Sequence, residues 1–277
     1  MSKIFTRTFR VRWADLDPSG TVSPANYLRY VVETAWDWGV AIGWSSDYSK
    51  NTNVFWLIRE VEINFLQPLR HNDEFRLTIW LVNWQKVRGT RCFEVTRKEN
   101  GEVIAQGTQQ VVCVDAKTGR PMNPPDSVDA LRIDNPRVFP FERFPKIMPV
   151  ENPFVMQRQV EWMDLDVYDH VNNVIYVGYA EEIAIQELSA RGWNPARLTE
   201  EGLCVVTRRL HIQYGSIAAW GEQLTISTHS LQKNDTGGSR FVGITRADGS
   251  SVAECILDWE LIDRQNGEAR SLPTELR

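Results

Sequence analysis

The sequence predicts an α+β protein made of two similar modules, each with one long helix packed against an antiparallel sheet. Three observations support this fold class: an internal repeat, one helical pattern in each copy, and a run of β-type segments after each helix. The 277 residues are 42% hydrophobic and 24% charged, so the chain can bury a substantial core in either one or two domains.

The internal repeat is the strongest of these observations. The five residues from Trp13 to Asp17 (WADLD) recur as Trp162 to Asp166 (WMDLD), 149 positions later. The same offset continues without a gap as far as Arg91 and Arg240, and one deletion then changes it to 148. A chance sequence match does not keep one offset over about a hundred residues, so we predict a duplication.

The boundary between the copies is marked by proline. The segment 121–153 carries eight of the 13 prolines of the chain. Proline lacks the amide hydrogen that a central strand or a helix interior requires. We therefore predict modules at residues 1–120 and 154–277, joined by a Pro-rich linker at 121–153 that crosses the surface.

Each copy begins with a strand and then a helix. In copy one, Ser23-Pro24 is a good N-cap followed by proline at the first helical position. In copy two, the helix is predicted from Asn172 or Asn173 to about Arg191. A mostly apolar stripe at helical spacing predicts that the first helix lies against a sheet; it comprises Tyr27, Tyr30, Val31, Thr34, Ala35 and Trp38.

The segments after each helix are rich in β-branched and aromatic residues and are separated by turn signals. In copy one the predicted strands are Val54 to Phe65, Glu74 to Trp84, Arg88 to Lys98 and Val103 to Asp115. Copy two repeats them between Leu203 and Asp263. An unpaired sheet edge is a liability, and edge-to-edge pairing of the two copies would remove it.

One motif in copy two resembles a known family. Asp166 to Asn173 (DVYDHVNN), followed by Tyr176, resembles the D-x-x-x-H-V-N-N-x-x-Y signature of hotdog-fold thioesterases, most closely the second module of acyl carrier protein thioesterases. The loop from Asp17 to Val22 resembles that of the 4-hydroxybenzoyl-CoA thioesterase branch. The resemblance implies two tandem hotdog modules, each a long central helix wrapped by an antiparallel sheet, packed as an intrachain pseudo-dimer.

The resemblance also implies where the chemistry takes place. It puts Asp166 and His170 in an active site with Asn172 nearby, and makes Asp17 the equivalent acid of copy one. The physical reason is that unpaired amides at a helix N-terminus can stabilise the oxyanion of a thioester under attack. Asp166 could act as general base or as nucleophile, and His170 is the natural partner for a proton transfer.

Five further residues are predicted to contact the substrate: Asn173, Tyr176, Trp162, Trp13 and Trp56. The tryptophans could narrow a pocket or stack on an acyl group. Against these roles stands the local explanation that aspartates and asparagines before a helix are turn and capping residues.

Departures from the family pattern leave the active module open. Carrier-protein thioesterases usually have Asn where this chain has Tyr168, and a Glu and a Cys near the positions of Ile217 and Ala218. Copy one has Thr21 in the place of His170. We favour copy two as the active module, while the loop of copy one would suffice for a scheme with a single aspartate.

Several classes of protein are disfavoured. A formal charge of −5 offers no field for a nucleic acid or an anionic membrane. The four histidines lack the spacing of a zinc site, and no nucleophile elbow or phosphate-binding glycine loop occurs, so neither a metal nor another cofactor is expected. Four cysteines without a C-x-x-C pair, no signal peptide and no membrane-spanning stretch favour the cytosol.

The sequence thus predicts an enzyme of fatty acid metabolism, a hydrolase that releases a carboxylic acid from acyl-CoA or acyl carrier protein. A non-catalytic acyl-thioester binding or sensing protein is the alternative, and a hotdog dehydratase ranks last. The acyl chain, the carrier and homo-oligomerisation stay open at this level.

Overall fold

The computed structural model describes residues 2–277, with the side chain of Ser46 outside the description. The chain forms two compact units, of which the first ends at Glu142 and the second begins at Arg143. This division falls inside the predicted linker; the exact module bounds stay a prediction. No helix within residues 2–277 is both long enough and apolar enough to cross a bilayer.

The first unit contains one long helix, one short helix and five strands. In chain order they are β1 (Ile4–Arg10), α1 (Pro24–Ala41), α2 (Ser46–Thr52), β2 (Val54–Phe65), β3 (Glu74–Gln85), β4 (Arg88–Arg97) and β5 (Val103–Asp115). The strands pair antiparallel in the order β1-β3-β4-β5-β2. The predicted strands of this copy match within one residue at each end.

The helix α1 forms where its capping residues predict it. The Asn26 amide donates to Ser23 Oγ at 3.3 Å, which caps the first turn, and Pro24 occupies the first helical position. The predicted stripe is buried except for Ala35, which is half-buried. Tyr30 on this stripe meets the ring of Phe75 on β3 at 4.9 Å, so the helix lies across the sheet as expected.

The second unit repeats the order of elements. It consists of β6 (Phe154–Gln159), α3 (Asn173–Ala190), α4 (Pro195–Glu200), β7 (Leu203–Tyr214), β8 (Gln223–Lys233), β9 (Gly237–Arg246) and β10 (Ser251–Asp263). Its antiparallel order is β6-β8-β9-β10-β7, which corresponds strand by strand to the first unit.

The sequence analysis missed the short helices α2 and α4. Each begins at a side-chain cap: Ser45 accepts from the Tyr48 amide, and Asn194 accepts from the Arg197 amide. Helices of about two turns carry too few residues for a periodic pattern to show.

The predicted linker does more than cross the surface. Phe139 is buried against Trp80, and the Trp80 indole donates to the carbonyl of Arg137 at 2.8 Å. Val128 and Leu131, in a 3₁₀ turn, are also buried. Part of the segment therefore packs its apolar side chains into the first unit, and its role as the linker between the modules stays a prediction.

A buried ion pair ties α3 to its sheet. Glu187 on α3 accepts from Arg240 on β9 at 3.1 Å and from Arg191 at 2.5 Å. The side chains of Arg240 and Glu187 are only 4% and 11% exposed. Each partner therefore depends on the other to offset the loss of hydration.

Glu187→Leu should lower the free energy of unfolding by about 3–5 kcal/mol, because it leaves a buried guanidinium without its carboxylate. Urea denaturation followed by tryptophan fluorescence measures the change. The matched control is Glu74→Gln, which removes an exposed pair with Lys98 and should leave the transition where it is. An equal shift for both variants would contradict the structural role given to Glu187.

Candidate active site

Each unit places a buried aspartate beneath the loop that precedes its long helix. Asp15 accepts from the Tyr30 hydroxyl at 2.5 Å, and Asp164 accepts from the Tyr179 hydroxyl at 2.7 Å. Asp15 and Asp164 are 2% and 5% exposed. Both tyrosines lie on the long helices, so these bonds fix the loop to the helix in both units.

The charge on Asp15 is stabilised locally. Burial alone would raise the pKa of its carboxyl, but hydrogen bonds from the Arg12 guanidinium, the Tyr30 hydroxyl and the Arg12 amide outweigh burial and lower it. Burial and the bond to Asp15 together raise the pKa of Tyr30. Asp15 therefore remains ionised, with its oxygens turned inward as acceptors, and is unsuited to take a proton from a substrate.

The loop of the second unit brings Asp166 and His170 together. His170 Nδ1 lies 3.5 Å from Asp166 Oδ2, and the two side chains are 17% and 22% exposed. The other carboxylate oxygen, Oδ1, accepts from the Tyr168 amide at 2.9 Å. The imidazole also approaches the carbonyl of Val171, at 3.4 Å from Nδ1. The fold thus brings the two side chains together, and their role in an active site stays a prediction.

Backbone conformation fixes the pair. The Asp166 amide donates to the His170 carbonyl at 2.9 Å, closing a tight loop. Asp169, inside this loop, has φ +59°, a left-handed conformation that aspartate tolerates better than most residues. The loop of the first unit has Gly20 at the equivalent position, with φ +82°. The same turn is thus made by different residues.

Asp17 has a different environment in the first unit. Its Oδ1 accepts from the Ser19 amide at 2.7 Å and from the Ser19 hydroxyl, which in turn contacts Thr21 Oγ1 at 2.9 Å. Two donors from one serine satisfy this oxygen, and Thr21 supplies no titratable group. This arrangement agrees with the turn-forming role weighed for Asp17 in the sequence.

The first turns of the two long helices differ in the backbone N–H groups that they can offer to a substrate. In α3, Asn172 is the N-cap, and its Oδ1 accepts from the Val174 amide at 3.2 Å. Asn173 follows as the first helical residue, so its N–H is among the amides that lack an intrahelical acceptor. The same position in α1 is Pro24, which has no N–H. Only the second unit offers that donor.

The loop of the second unit is also anchored from the segment after β7. The Ala218 carbonyl accepts from the Val171 amide at 2.9 Å, and the Ala218 amide donates to the Tyr176 hydroxyl at 3.2 Å. Burial raises the pKa of Tyr176 to about 12. Tyr176 is 3% exposed, and its hydroxyl is held by the backbone, which favours a scaffold role over the predicted substrate contact. Asn173 is also held, since its carbonyl accepts from the Tyr214 hydroxyl at 3.1 Å.

The three predicted substrate-contacting tryptophans occupy two kinds of position. Trp13 and Trp162 lie in the 3₁₀ turns before the loops and are 77% and 72% exposed. Trp56 is on β2 and stacks on Trp44, whose amide donates to the carbonyl of Gly39 near the end of α1. Within the first unit, Trp56 therefore lies at the opposite end of α1 from Asp17, and its contact with the substrate stays a prediction.

Sequence reasoning did not assign the hydroxyls of Tyr30 and Tyr179 to the aspartates. A signal was present, because both aspartate and tyrosine recur at the same offset in the two copies. Likewise, nothing in the sequence pointed to the backbone of Ala218. No group of three or more His, Cys, Asp or Glu side chains suited to a metal occurs among the residues that the structure describes.

The chain belongs to the thioesterase-like superfamily, whose family model matches residues 11–131 and 160–277. A crystal structure of an acyl-ACP thioesterase from Bacteroides thetaiotaomicron superposes with a TM-score of 0.77 over 93% of this chain and 98% of that chain, at 18% identity. Both units are hotdog modules, which confirms the predicted fold class and the family resemblance.

Two curated relatives illustrate the range of the family. A chloroplastic palmitoyl-acyl carrier protein thioesterase of Cuphea hookeriana is 22% identical over 271 residues, 92% of this chain and 62% of that protein. The long-chain acyl-CoA thioesterase FadM of Escherichia coli is 30% identical over 125 residues, 44% of this chain and 92% of that protein. The chain thus spans about three fifths of the length of the Cuphea protein, with 62% of that protein covered.

The depressed pKa of Asp15 predicts an acid-labile first unit. The folded-state pKa lies below the ordinary value of 3.8, so the stabilisation is present above that pH and is lost as the pH falls through the folded-state pKa. Asp15→Asn should remove this part of the acid dependence. Unfolding free energies measured against pH check the effect, with the exposed Asp169→Asn as a control of equal charge change. An unchanged acid limb in Asp15→Asn would refute the assignment.

Proposed function

We propose that this protein hydrolyses acyl thioesters, with its reaction centre at Asp166, His170 and the first turn of α3. The observation that carries the proposal is the approach of His170 Nδ1 to Asp166 Oδ2, 3.5 Å apart, with both side chains half-buried in the loop directly before that helix. Membership of the thioesterase-like superfamily supports the same reaction.

The reaction requires a nucleophile, an oxyanion site and a proton for the leaving thiolate. In the general-base route, Asp166 and His170 take a proton from water as its oxygen attacks the carbonyl carbon. The tetrahedral oxyanion then collapses, the C–S bond breaks, and the thiolate leaves with a proton, giving a carboxylic acid and a thiol. In the nucleophilic route, Asp166 attacks first, the thiol leaves, and water hydrolyses the resulting anhydride.

The start of α3 supplies the oxyanion donors in either route. The Asn173 amide and the positive end of the helix dipole favour negative charge at that point. Asn172 keeps its Oδ1 on the Val174 amide, which leaves its Nδ2 hydrogens for the substrate or for water. These groups are held in position before the substrate arrives, so no reorganisation is needed as charge develops.

The second unit is the better candidate for the active one. The first unit has Pro24 in place of the Asn173 amide and Thr21 in place of His170. Its Asp17 is engaged by both donors of Ser19. We propose that the loop of the first unit is a structural relic of the duplication or contributes only to binding.

A non-catalytic acyl-thioester binding protein is the second candidate, and one observation favours it. The segment that carries a Glu and a Cys in carrier-protein thioesterases, around Ile217 and Ala218 here, contacts the Val171 backbone and the Tyr176 hydroxyl. The positions beside the loop are therefore occupied by side chains without ionisable groups. Binding without turnover is the result that would support this candidate.

The substrates we propose are acyl-CoA or acyl carrier protein thioesters, the two classes that the names of the relatives include. Such a reaction belongs to fatty acid metabolism. All four cysteines are free thiols, which supports a reducing compartment such as the cytosol.

Asp166→Asn should lower kcat by at least about a hundredfold, because the amide can neither accept a proton nor attack the carbonyl. Thiol release from a panel of acyl-CoA and acyl carrier protein thioesters measures the loss. Asp169→Asn is the matched control, since it lies in the same loop, is exposed and tolerates positive φ; it should keep wild-type activity.

Asp17→Asn and His170→Ala complete the test. His170→Ala should lose activity, while Asp17→Asn should retain most of it if the second unit carries the reaction. The assignment to the second unit fails if only Asp17→Asn abolishes turnover. Tight binding of every thioester with release of none would replace hydrolysis by the binding function.

A further inference from the structure

Tyr168 contacts both side chains of the proposed reaction centre in the loop before α3. Its amide donates to Asp166 Oδ1 at 2.9 Å. Its ring lies beside the His170 imidazole, with the ring centroids 6.1 Å apart and the ring planes inclined by 20°. Nearly parallel rings at such a separation are in the offset-stacked arrangement that aromatic pairs favour. Tyr168 therefore holds Asp166 through its backbone and His170 through its side chain.

The turn itself does not require an aromatic ring at this position. The repeat counterpart of Tyr168 is Ser19, whose amide donates to Asp17 Oδ1 at 2.7 Å. A backbone amide two residues after an aspartate is all that such an Asx turn needs. The turn thus explains the amide of Tyr168 but not its ring, although Tyr168 is still 42% exposed. The role of the ring must therefore be sought in what it contacts.

The aromatic ring and the imidazole occur in the same copy of the repeat. In the first unit, Thr21 takes the place of His170, and its Oγ1 contacts the Ser19 hydroxyl at 2.9 Å. Neither Ser19 nor Thr21 carries a ring. In the second unit both positions carry one. The tyrosine is thus present only where there is an imidazole for it to stack on.

The orientation of the imidazole is set at its Nδ1 atom. Two acceptors lie near it, Asp166 Oδ2 at 3.5 Å and the Val171 carbonyl oxygen at 3.4 Å. A neutral imidazole has one N–H and one lone pair, and the nitrogen that faces acceptors is the one that carries the hydrogen. Both contacts are long, and they would share a single hydrogen, so by themselves they restrain rotation of the ring about Cβ–Cγ only weakly.

Stacking supplies the restraint that these contacts lack. Rotation about Cβ–Cγ would turn an edge of the imidazole into the flat ring of Tyr168, which packs along its face. The hydroxyl of Tyr168 is not needed for this. Burial raises the pKa of that hydroxyl, and the charge of Asp166 raises it further, so the phenol stays protonated near neutral pH. The ring is therefore the group that acts on His170.

We propose that Tyr168 is a positioning residue, whose ring holds the His170 imidazole with Nδ1–H toward Asp166 and with Nε2 as the proton acceptor. The inference rests on the proposed function and deepens it by assigning the reacting atom. In the general-base route, Nε2 takes a proton from water as the water oxygen bonds to the carbonyl carbon. The same proton passes from Nε2 to the thiolate when the C–S bond breaks. Asp166 stabilises the imidazolium in between.

Tyr168→Ala should lower kcat by about two- to tenfold with little change in KM, since the energy of one aromatic stack is lost from the positioning of His170. Tyr168→Phe keeps the ring and should restore the wild-type kcat. Thiol release measures both variants. Val167→Ala is the control from the same loop, because Val167 is 89% exposed, and it should leave kcat unchanged. Equal losses in Tyr168→Phe and Tyr168→Ala would overturn the role given to the ring.

A double-mutant cycle distinguishes positioning of His170 from a general effect on the loop. In the His170→Ala protein, the further change Tyr168→Ala should have no effect on the remaining turnover, because the ring has lost the group that it positions. A loss of the same factor with and without His170 contradicts the inference.

Nitrogen NMR of the histidine side chains tests the inference without any substrate, and so separates it from the proposed function. Nitrogen shifts of a neutral imidazole show which nitrogen carries the hydrogen, and His170→Ala identifies the His170 signals. At alkaline pH, the wild-type protein and Tyr168→Phe should show the Nδ1–H form, and Tyr168→Ala should show a mixture of both forms. This result upholds the positioning of His170 by Tyr168 even if no thioester is hydrolysed. An Nε2–H form in the wild-type protein, or no change in Tyr168→Ala, overturns it.

Discussion

The hydrogen bond between a buried aspartate and a helix tyrosine is the constraint on which both loops depend. Asp15 with Tyr30, and Asp164 with Tyr179, join the start of the loop to a point two turns inside the helix. Each bond is buried, so breaking it would remove a hydrogen bond from a carboxylate in a medium of low polarity. The loop therefore cannot drift away from the helix N-terminus, which is where the proposed chemistry requires it.

On this shared scaffold the two copies have diverged in the few groups that matter for chemistry. The turn geometry is conserved through Gly20 in one loop and Asp169 in the other. The groups that can move protons or donate hydrogen bonds are not conserved, since the second unit alone combines His170 with a free first amide on its helix. Under the proposed assignment, one copy keeps the groups for the reaction while the other keeps the fold.

The interiors have diverged in the opposite direction. The second unit seals its arginine with Glu187, and the result is a closed structural ion pair. In the first unit the counterpart Arg91 bonds instead to the side-chain oxygen of Gln109, and its Nε has no hydrogen-bond partner among the described residues.

The sequence by itself determined the duplication, the fold class and most element bounds. Hydrophobic patterns of period two and period 3.6, together with caps such as Ser23-Pro24, involve only short stretches of chain. They can therefore be identified from the local sequence. The proximity of Asp166 and His170 could also be predicted, because two residues four positions apart in a tight turn lie close together. The short helices α2 and α4 were missed for lack of length, and the buried part of segment 121–153 because proline content says nothing about packing.

Only the tertiary structure decided which polar groups form structural hydrogen bonds and which remain available for the proposed chemistry. Two aspartates in each WADLD-like motif look alike in the sequence, yet Asp164 is buried on Tyr179 while Asp166 faces His170. Likewise, Arg91 and Arg240 occupy the same repeat position, and only packing shows that Arg240 pairs with Glu187 whereas Arg91 bonds to Gln109. The reason is physical: the partners lie 15 to 53 residues away along the chain, and only the folded packing brings them within hydrogen-bonding distance.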